Sequence, residues 1–421
     1  MEKSGKFRLT SLERNWILYD VGNSAFVLMV ATLIPIFFNA LAAAGGLSSV
    51  EYLAYWGYAS SSVTVITAVL SPILGTVADT KGFKKPIFIL CVFVGIVGCC
   101  AMGAASAWLL FLVIFVIAKV GFSGSLVFYD SMLSDVTTPE RMDEVSSRGY
   151  AWGYIGSCVP FVVCLGLVLG AGSIGISQMT ALNLALLLTA AWWLLTTLPL
   201  LKNYKQLHYV EVEKHAVRQS FARIGHTLRH LPEDKQVFWF LLAFFCYIDG
   251  VYTIIDMATA YGTALGLDTT GLLLALLVTQ IVAFPSALIF GRLSNKYPSA
   301  KLIPVCIAAY AGIAVFAFFL TQQWQFWVLA VIVGMFQGGV QALSRSHFAK
   351  IIPPEKSGEY FGLFDICGKG ASFLGTMIVS VGSQLTGSAN VGVGSLIVLF
   401  IVGFVLFRVS CKKESFLNEI T

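Results

Sequence analysis

Twelve mostly apolar runs, each of roughly twenty residues or more, follow one another along this 421-residue chain. A hydrocarbon layer about 30 Å thick is crossed by about 20 residues of α-helix. No water is present in lipid to satisfy backbone N–H and C=O groups, so runs of this length must be helices that bond within themselves. Barrel strands are excluded, because they alternate polar and apolar residues over only about ten positions. The runs fall near 16–44, 50–78, 85–105, 107–136, 147–171, 177–201, 236–265, 270–293, 300–321, 324–350, 358–386 and 390–410. Only 12% of the residues are charged, against about 25% in a water-soluble domain. The chain is expected to be an all-α polytopic membrane protein of twelve transmembrane helices.

Charge decides how the helices are threaded. Alternate connections carry Lys81, Lys84 and Lys85, then Arg141 and Arg148, Arg292, Lys296 and Lys301, and Lys350 and Lys356; the tail adds Arg408, Lys412 and Lys413. The connections between them, near 45–50, 106, 172–176, 266–269, 322–323 and 387–389, carry no Lys or Arg. Positive residues stay on the cytoplasmic side, which assigns both termini and the central connection to the cytoplasm. That connection, 202–235, holds seven Lys and Arg residues and four of the five His. It separates a bundle at 1–201 from a bundle at 236–410, with a tail at 411–421. Within it Val217, Phe221, Ile224, Leu228 and Leu231 recur at intervals of three and four among Arg218, Arg223 and Arg229. This is the pattern of a basic amphipathic helix on a membrane surface; a solvated linker is the alternative. The net charge of +5 thus follows topology and does not indicate nucleic acid.

Several chemistries are excluded. Eight of the nine Cys lie inside apolar runs and the ninth just beyond the last, with no CxxC pair, as expected of small core residues. The basic N-terminus lacks the short apolar run and small-residue cleavage site of a signal peptide. His226 and His230 are four apart but have no carboxylate or Cys at ligand spacing, so no metal is expected. With no GxSxG, no phosphate-binding P-loop and no cofactor motif, the chain reads as neither a hydrolase nor an ATP-driven pump. It is expected not to be an enzyme, and its driving force must come from a gradient or a partner.

The two halves repeat. GTVADTKGFKKP from Gly75 echoes GRLSNKYPSAK from Gly291, 216 residues on, and TTPERMDEVSSRGYAWGY echoes IPPEKSGEYFGLFDICGK with Pro139 and Pro354 215 apart. Two landmarks with nearly equal offsets indicate a duplicated six-helix unit. The segment from Gly75 resembles the inner-loop signature of the major facilitator superfamily, with Gly75, Asp79, Gly82, Lys84 and Lys85 in place and Phe83 as an added spacer. Its second copy has Asn295 where the Asp would stand and Pro298 near the Gly. The stretches WILYDVGNSAF (16–26), SSRGYAWGYIG (146–156), QIVAFPSALIFGRLSNK (280–296) and QGGVQALSRSHFAKIIPPEKSGEYFGLFD (337–365) resemble the vacuolar amino-acid effluxers linked to autophagy and their bacterial relatives. The resemblance spans the whole chain. It implies two pseudo-symmetric six-helix bundles working by alternating access in a bacterial inner membrane. Spans 1, 4, 7 and 10, with 2, 5, 8 and 11, would line a central cavity, while 3, 6, 9 and 12 face lipid.

An ionisable side chain inside a span costs about 2.5–3.5 kcal/mol on insertion scales, which makes each one a candidate site. The candidates are Asp20, Lys119, Asp130, Asp249, Asp256, Arg345, Asp365 and Lys369. At about 1.5 Å per residue, Lys119 and Asp249 lie near the midplane, while Asp20, Asp130, Arg345 and Asp365 lie toward the basic side. Polar residues at intervals of three and four extend these points into stripes. Span 11 has Asp365, Lys369, Ser372, Thr376, Ser380 and Ser383, and span 4 has Lys119, Ser123, Asp130 and Ser134. Span 10 has Gln337, Gln341 and Arg345, span 2 has Ser60, Thr64, Thr67 and Ser71, and span 7 groups Asp249, Tyr252, Thr253 and Asp256.

The functional expectation is a transporter of a small zwitterionic solute, with its carboxylate toward Lys119 and its ammonium toward Asp249. Tyr129, Trp152, Tyr154, Tyr247 and Tyr252 would wall the site through cation–π contacts, and Gln337 and Gln341 would add hydrogen bonds. The plainer alternative is that Lys119 and Asp249 pair with each other or with local groups. Buried carboxylates suit proton coupling; Asp249 and Asp256 come first, then Asp20 and Asp365, although Lys369 four residues on would hold Asp365 ionised. Proton is favoured over sodium. Asp130 and Arg345 occupy matching places 215 apart and are read as gate residues with Asp79, Lys84, Lys85, Arg148 and Lys369. The partners implied are the solute, the coupling ion and the bilayer, with the chain acting as a monomer. A multidrug exporter of lipophilic cations would want a greasier cavity, and a non-transporting sensor or scaffold has no use for midplane charges.

Overall fold

The computed structural model describes residues 7–211, 227 and 229–418, with side chains at all of these except 49, 50, 53, 259, 260, 263, 264, 269, 270, 273, 369–373 and 412–418. Span 1 is made of α1 (Ser11–Ala31) and α2 (Leu33–Ala44), followed by α3 (Ser49–Ala78) and α4 (Lys84–Gly103). Span 4 is α5 (Trp108–Ser131) with the short α6 (Leu133–Val136), and α7 (Met142–Leu169) and α8 (Gln178–Asn203) complete the first half. The second half contains α9 (Lys235–Ala264), α10 (Thr269–Leu293), α11 (Ser299–Phe318), α12 (Gln323–Ile351) and α13 (Ser357–Thr386). It ends with α14 (Ala389–Gly394) and α15 (Ile397–Asn418). Eleven helical segments among the described residues are long and apolar enough to cross a membrane, and the 30-residue α13 completes the twelve. Most of the amphipathic pattern at 217–231 lies outside the described residues.

Local chemistry explains the breaks. Span 1 leaves the helical region at Thr32 (φ −131°, ψ −77°) because Pro35 lacks an N–H and its ring excludes the carbonyl four residues earlier. Thr32 Oγ1 then donates to the Leu28 carbonyl at 2.5 Å, satisfying an acceptor that the break would orphan. At the end without Lys or Arg, Ser48, Ser177 and Asp268 begin helices by accepting the N–H groups of Glu51, Thr180 and Gly271. At the basic end Gly82 turns the chain between α3 and α4 at φ +81°, a left-handed conformation open to glycine without penalty. That is why the loop signature has Gly there. Three boundaries differ from expectation by five residues or more: α1 starts five residues before 16, α7 starts five residues before 147, and α15 runs past 410 to Asn418.

Each half packs as a bundle, α1 against α7 and α8 in the first, and α9 against α13 and α15 in the second. The halves meet along two seams, α3 against α13 and α7 against α10, which the internal repeat relates to each other. At the basic end residues 75–80 of α3 and its cap, and 357–363 of α13, are buried throughout. Farther along, Val65, Val69, Met377, Val381 and Leu385 are exposed. The halves close on each other at the basic end and part toward the other.

Candidate functional site

The closed end is built from the turn between α3 and α4. The wholly buried Asp79 carboxylate accepts the N–H groups of Gly358 at 2.7 Å and Glu359 at 2.8 Å. These lie at the start of α13, where unsatisfied N–H groups and the helix dipole favour an anion. Lys84, equally buried, sits 3.6 Å from Asp79 and 3.9 Å from Asp135 and donates to Ser357 Oγ at 2.8 Å. Burial pushes the Asp79 carboxyl up to about 6, against the pull of Lys84 and the two N–H groups. Lys85 is half-buried and makes no ion pair among the described residues.

The seam needs glycine. A Cβ on Gly75 would fall on the Gly358 carbonyl, and one on Gly362 would lie 2.7 Å from Pro72 Cα. Gly75→Ala is therefore expected to wedge the halves apart at the basic end while leaving each bundle folded. Spin labels at Thr138 and Lys296, both exposed and on opposite halves, should report a longer distance by pulsed EPR. An unchanged distance with normal stability would show that the seam tolerates the methyl.

The second seam inverts this chemistry. Asn295, which replaces the signature Asp, donates to Glu144 Oε2 at 2.7 Å, and Glu144 lies in the first turn of α7. An Asp at 295 would face that carboxylate, so the amide is the residue that fits. Arg148 donates to the same Glu144 within its own helix, and Lys350 pairs with Asp143 across the halves at 2.6 Å.

One layer deeper, Arg345 of α12 is 2% exposed. Its guanidinium meets Asp130 at 3.0 Å and Asp20 at 3.7 Å, and donates to the hydroxyl of Ser146 at 2.9 Å and to its carbonyl at 3.0 Å. The rings of Trp16, at 4.7 Å, and Tyr150, at 4.3 Å, cover its faces. Above it, Ser71 of α3 donates to Asp365 of α13 at 2.8 Å, so the polar stripes of spans 2 and 11 meet. The side chain of Lys369 lies outside those described.

Between the parted ends, Lys119 of α5 is half-buried, with its ammonium 4.6 Å from the Phe122 ring centroid. Across the halves, Asp256, exposed on α9, lies within its electrostatic range. The expected counterpart, Asp249, sits deeper on the same helix. Asp249 is fully buried against α13, where one carboxylate oxygen accepts the Gly375 N–H at 2.9 Å and the Thr253 hydroxyl at 3.3 Å. The other oxygen has no hydrogen-bond partner among the described residues. The two Asp residues are seven apart and share one helix face, but the side-chain-free Gly375 lets α13 cover only the deeper one.

The aromatic set divides as well. Tyr252 lies near Asp130, Asp256, Asp365 and Arg345, and Tyr154 donates to Gln341 at 2.8 Å; Gln337 is buried one helical turn before Gln341. Tyr129 stacks on Trp16 inside the first half. Tyr247 is bonded to Ser344 at 2.6 Å inside the second. Trp152 is 45% exposed against Phe284, on the opposite side of α7 from Tyr154. These three are not walls of the cleft. Asp135, Asp143, Glu144 and Ser146 were missed because they lie at the ends of the apolar runs, where a polar residue attracts no notice. Glu144 lies 215 residues before Glu359, and that repeat was the available signal.

A family model described as "Vacuole effluxer Atg22 like" matches residues 11–415. The chain is 42% identical over 413 residues to the uncharacterized MFS-type transporter YxiO of Bacillus subtilis, covering 97% of this chain and 96% of that protein. It is 25% identical over 315 residues to autophagy-related protein 22 of Coccidioides immitis, covering 64% of this chain and 51% of that one. The chain thus spans about half the length of that fungal relative. Similar solved structures include the human organic anion transporter MFSD10, with TM-score 0.71, 14% identity and coverage of 94% and 98%. The transporter FucP in its outward conformation has TM-score 0.70, 16% identity and coverage of 95% and 97%. At these identities the structures establish the fold alone. The chain belongs to the Atg22-like vacuole effluxer family and is a multi-pass membrane transporter of the major facilitator type.

Proposed function

We propose that this transporter moves a small zwitterionic solute such as an amino acid, coupled to protons, across a bacterial plasma membrane with its basic end in the cytoplasm. On this orientation the cleft between the halves opens outward. The reading is carried by the electrostatic approach of Lys119 and Asp256, one charge on each half. A solute carboxylate at Lys119 and ammonium at Asp256 would draw the halves together, so occupancy would favour closure of the outer end. Phe26 and Phe122 beside Lys119 exclude water on one side and strengthen its attraction for an anion. Asp249 suits the proton: it is buried, and one carboxylate oxygen lacks a hydrogen-bond partner among the described residues. Asp256, Asp20 and Asp365 are the other carboxylates able to join that transfer.

A thermal-shift screen of the purified protein against amino acids, betaines, sugars and lipophilic cations should stabilise it with members of the first two classes alone. Uptake of the best ligand into proteoliposomes should then follow an imposed pH gradient and ignore a sodium gradient. Stabilisation by lipophilic cations in place of zwitterions would overturn the solute assignment. Sodium-driven uptake would overturn the ion.

A further inference from the structure

The first residues of the central connection do not hang free of the first half. Val210 N–H donates to the Asp79 carbonyl at 2.8 Å, and Lys81 N–H returns a bond to the Val210 carbonyl at 3.2 Å, closing a parallel bridge between Thr80 and Val210. Gln206 fastens the same turn, donating to the Ala78 carbonyl at 3.1 Å and accepting the Gly82 N–H at 2.9 Å. The other edge of this strap wraps Asp135. One carboxylate oxygen accepts the Tyr204 hydroxyl at 2.6 Å; the other meets the N–H groups of Leu207 and His208 at 3.2 and 2.9 Å and His208 Nδ1 at 3.0 Å.

We propose that residues 204–211 are a positioning element of the gate, keeping Lys84 turned toward the second half by occupying Asp135. Lys84 carries one charge between two buried carboxylates, and its hydrogen bond to Ser357 crosses the halves. While the strap supplies donors to both Asp135 oxygens, that carboxylate competes weakly for Lys84. Without them Asp135 is a buried charge whose nearest counter-ion is Lys84, and leaving a buried charge unmet is expensive enough to move a flexible side chain. Lys84 would swing to Asp135, release Ser357 and weaken its hold on Asp79.

The inference rests on alternate closure of the two ends and on no choice of solute or ion. It is tested on purified protein without solute, so its failure and that of the transport assignment are distinguishable. In a background without reactive native cysteines, labels at Thr138 and Lys296 read the separation of the halves by pulsed EPR. The triple variant Tyr204→Phe, Gln206→Ala, His208→Ala should raise the separated population on the order of fivefold to tenfold, since each lost hydrogen bond contributes about 1 kcal/mol. Asp135→Asn, which weakens the carboxylate's claim on Lys84, should undo most of that rise when added to the triple variant. A structural role would not show such rescue. Should the triple variant fail to fold, a disulfide between cysteines placed at Thr80 and Val210 gives the converse test: the oxidised protein should populate the separated state less than the same sample after reduction. A distance distribution indifferent to the triple variant or to the disulfide overturns the proposal.

Discussion

Arg345→Ala should abolish transport and lower the stability of the solubilised protein by about 3–5 kcal/mol, the cost of removing one partner from a buried charge network. The size follows from what the guanidinium alone supplies. It pairs with Asp130 and Asp20 on α5 and α1, fills the hydroxyl and carbonyl of Ser146 on α7, and lies between the rings of Trp16 and Tyr150. Alanine leaves two carboxylates side by side with no cation and a cavity where aromatic faces had a planar partner. Arg345→Lys should recover little, because one ammonium cannot reach both acids and Ser146 while stacking on two rings. Removing the nearer acid, Asp130, as well should restore much of the stability without restoring the gate. The double variant Asp130→Asn, Arg345→Gln should melt closer to the parent than Arg345→Ala does, yet remain inactive in uptake. Melting temperature and proteoliposome uptake separate the two effects. Arg345→Ala with wild-type uptake would remove this residue from the gate.

This network could be anticipated from the chain because the repeat set Asp130 and Arg345 at matching positions and the apolar runs made each charge conspicuous. The same rule found Lys119 and the Asp residues of α9. It could not rank Asp249 against Asp256, since both lie on one helix face and the choice depends on where α13 covers that face. Coverage depends in turn on Gly375, whose missing side chain is a tertiary fact. The opposite failure occurred at the loops. Asp135, Asp143 and Glu144 carry no membrane penalty, so nothing local separates a gate carboxylate from a solvated one; the structure separates them by burying all three. Asn295 shows that a departure from a motif can itself be read. Its loss of charge is explained by Glu144 opposite, a residue set there by the other copy of the repeat. Composition makes the central connection a linker or surface helix, and it cannot foresee a strap whose bonds come from backbone N–H groups and from the side chains of Tyr204, Gln206 and His208.

Lys119→Ala should reduce zwitterion uptake on the order of 100-fold, because truncating one side of a desolvated charge contact costs about 2–5 kcal/mol and a factor of ten is about 1.4 kcal/mol. Asp256→Asn should act similarly on the ammonium end, and for both variants the loss should appear in binding as well as in turnover. Asp249→Asn should behave differently. It keeps an oxygen for the Gly375 N–H and Thr253 hydroxyl but cannot exchange a proton, so solute binding and solute–solute exchange persist while uptake driven by a pH gradient is lost. The three variants thus separate a solute site at Lys119 and Asp256 from a proton site at Asp249. Gradient-driven uptake at the parent rate in Asp249→Asn would move the proton to Asp256, the remaining carboxylate of α9. Parent-level uptake in Lys119→Ala, across the same solutes that stabilise the protein, would mean that the solute does not bridge the two halves through that charge.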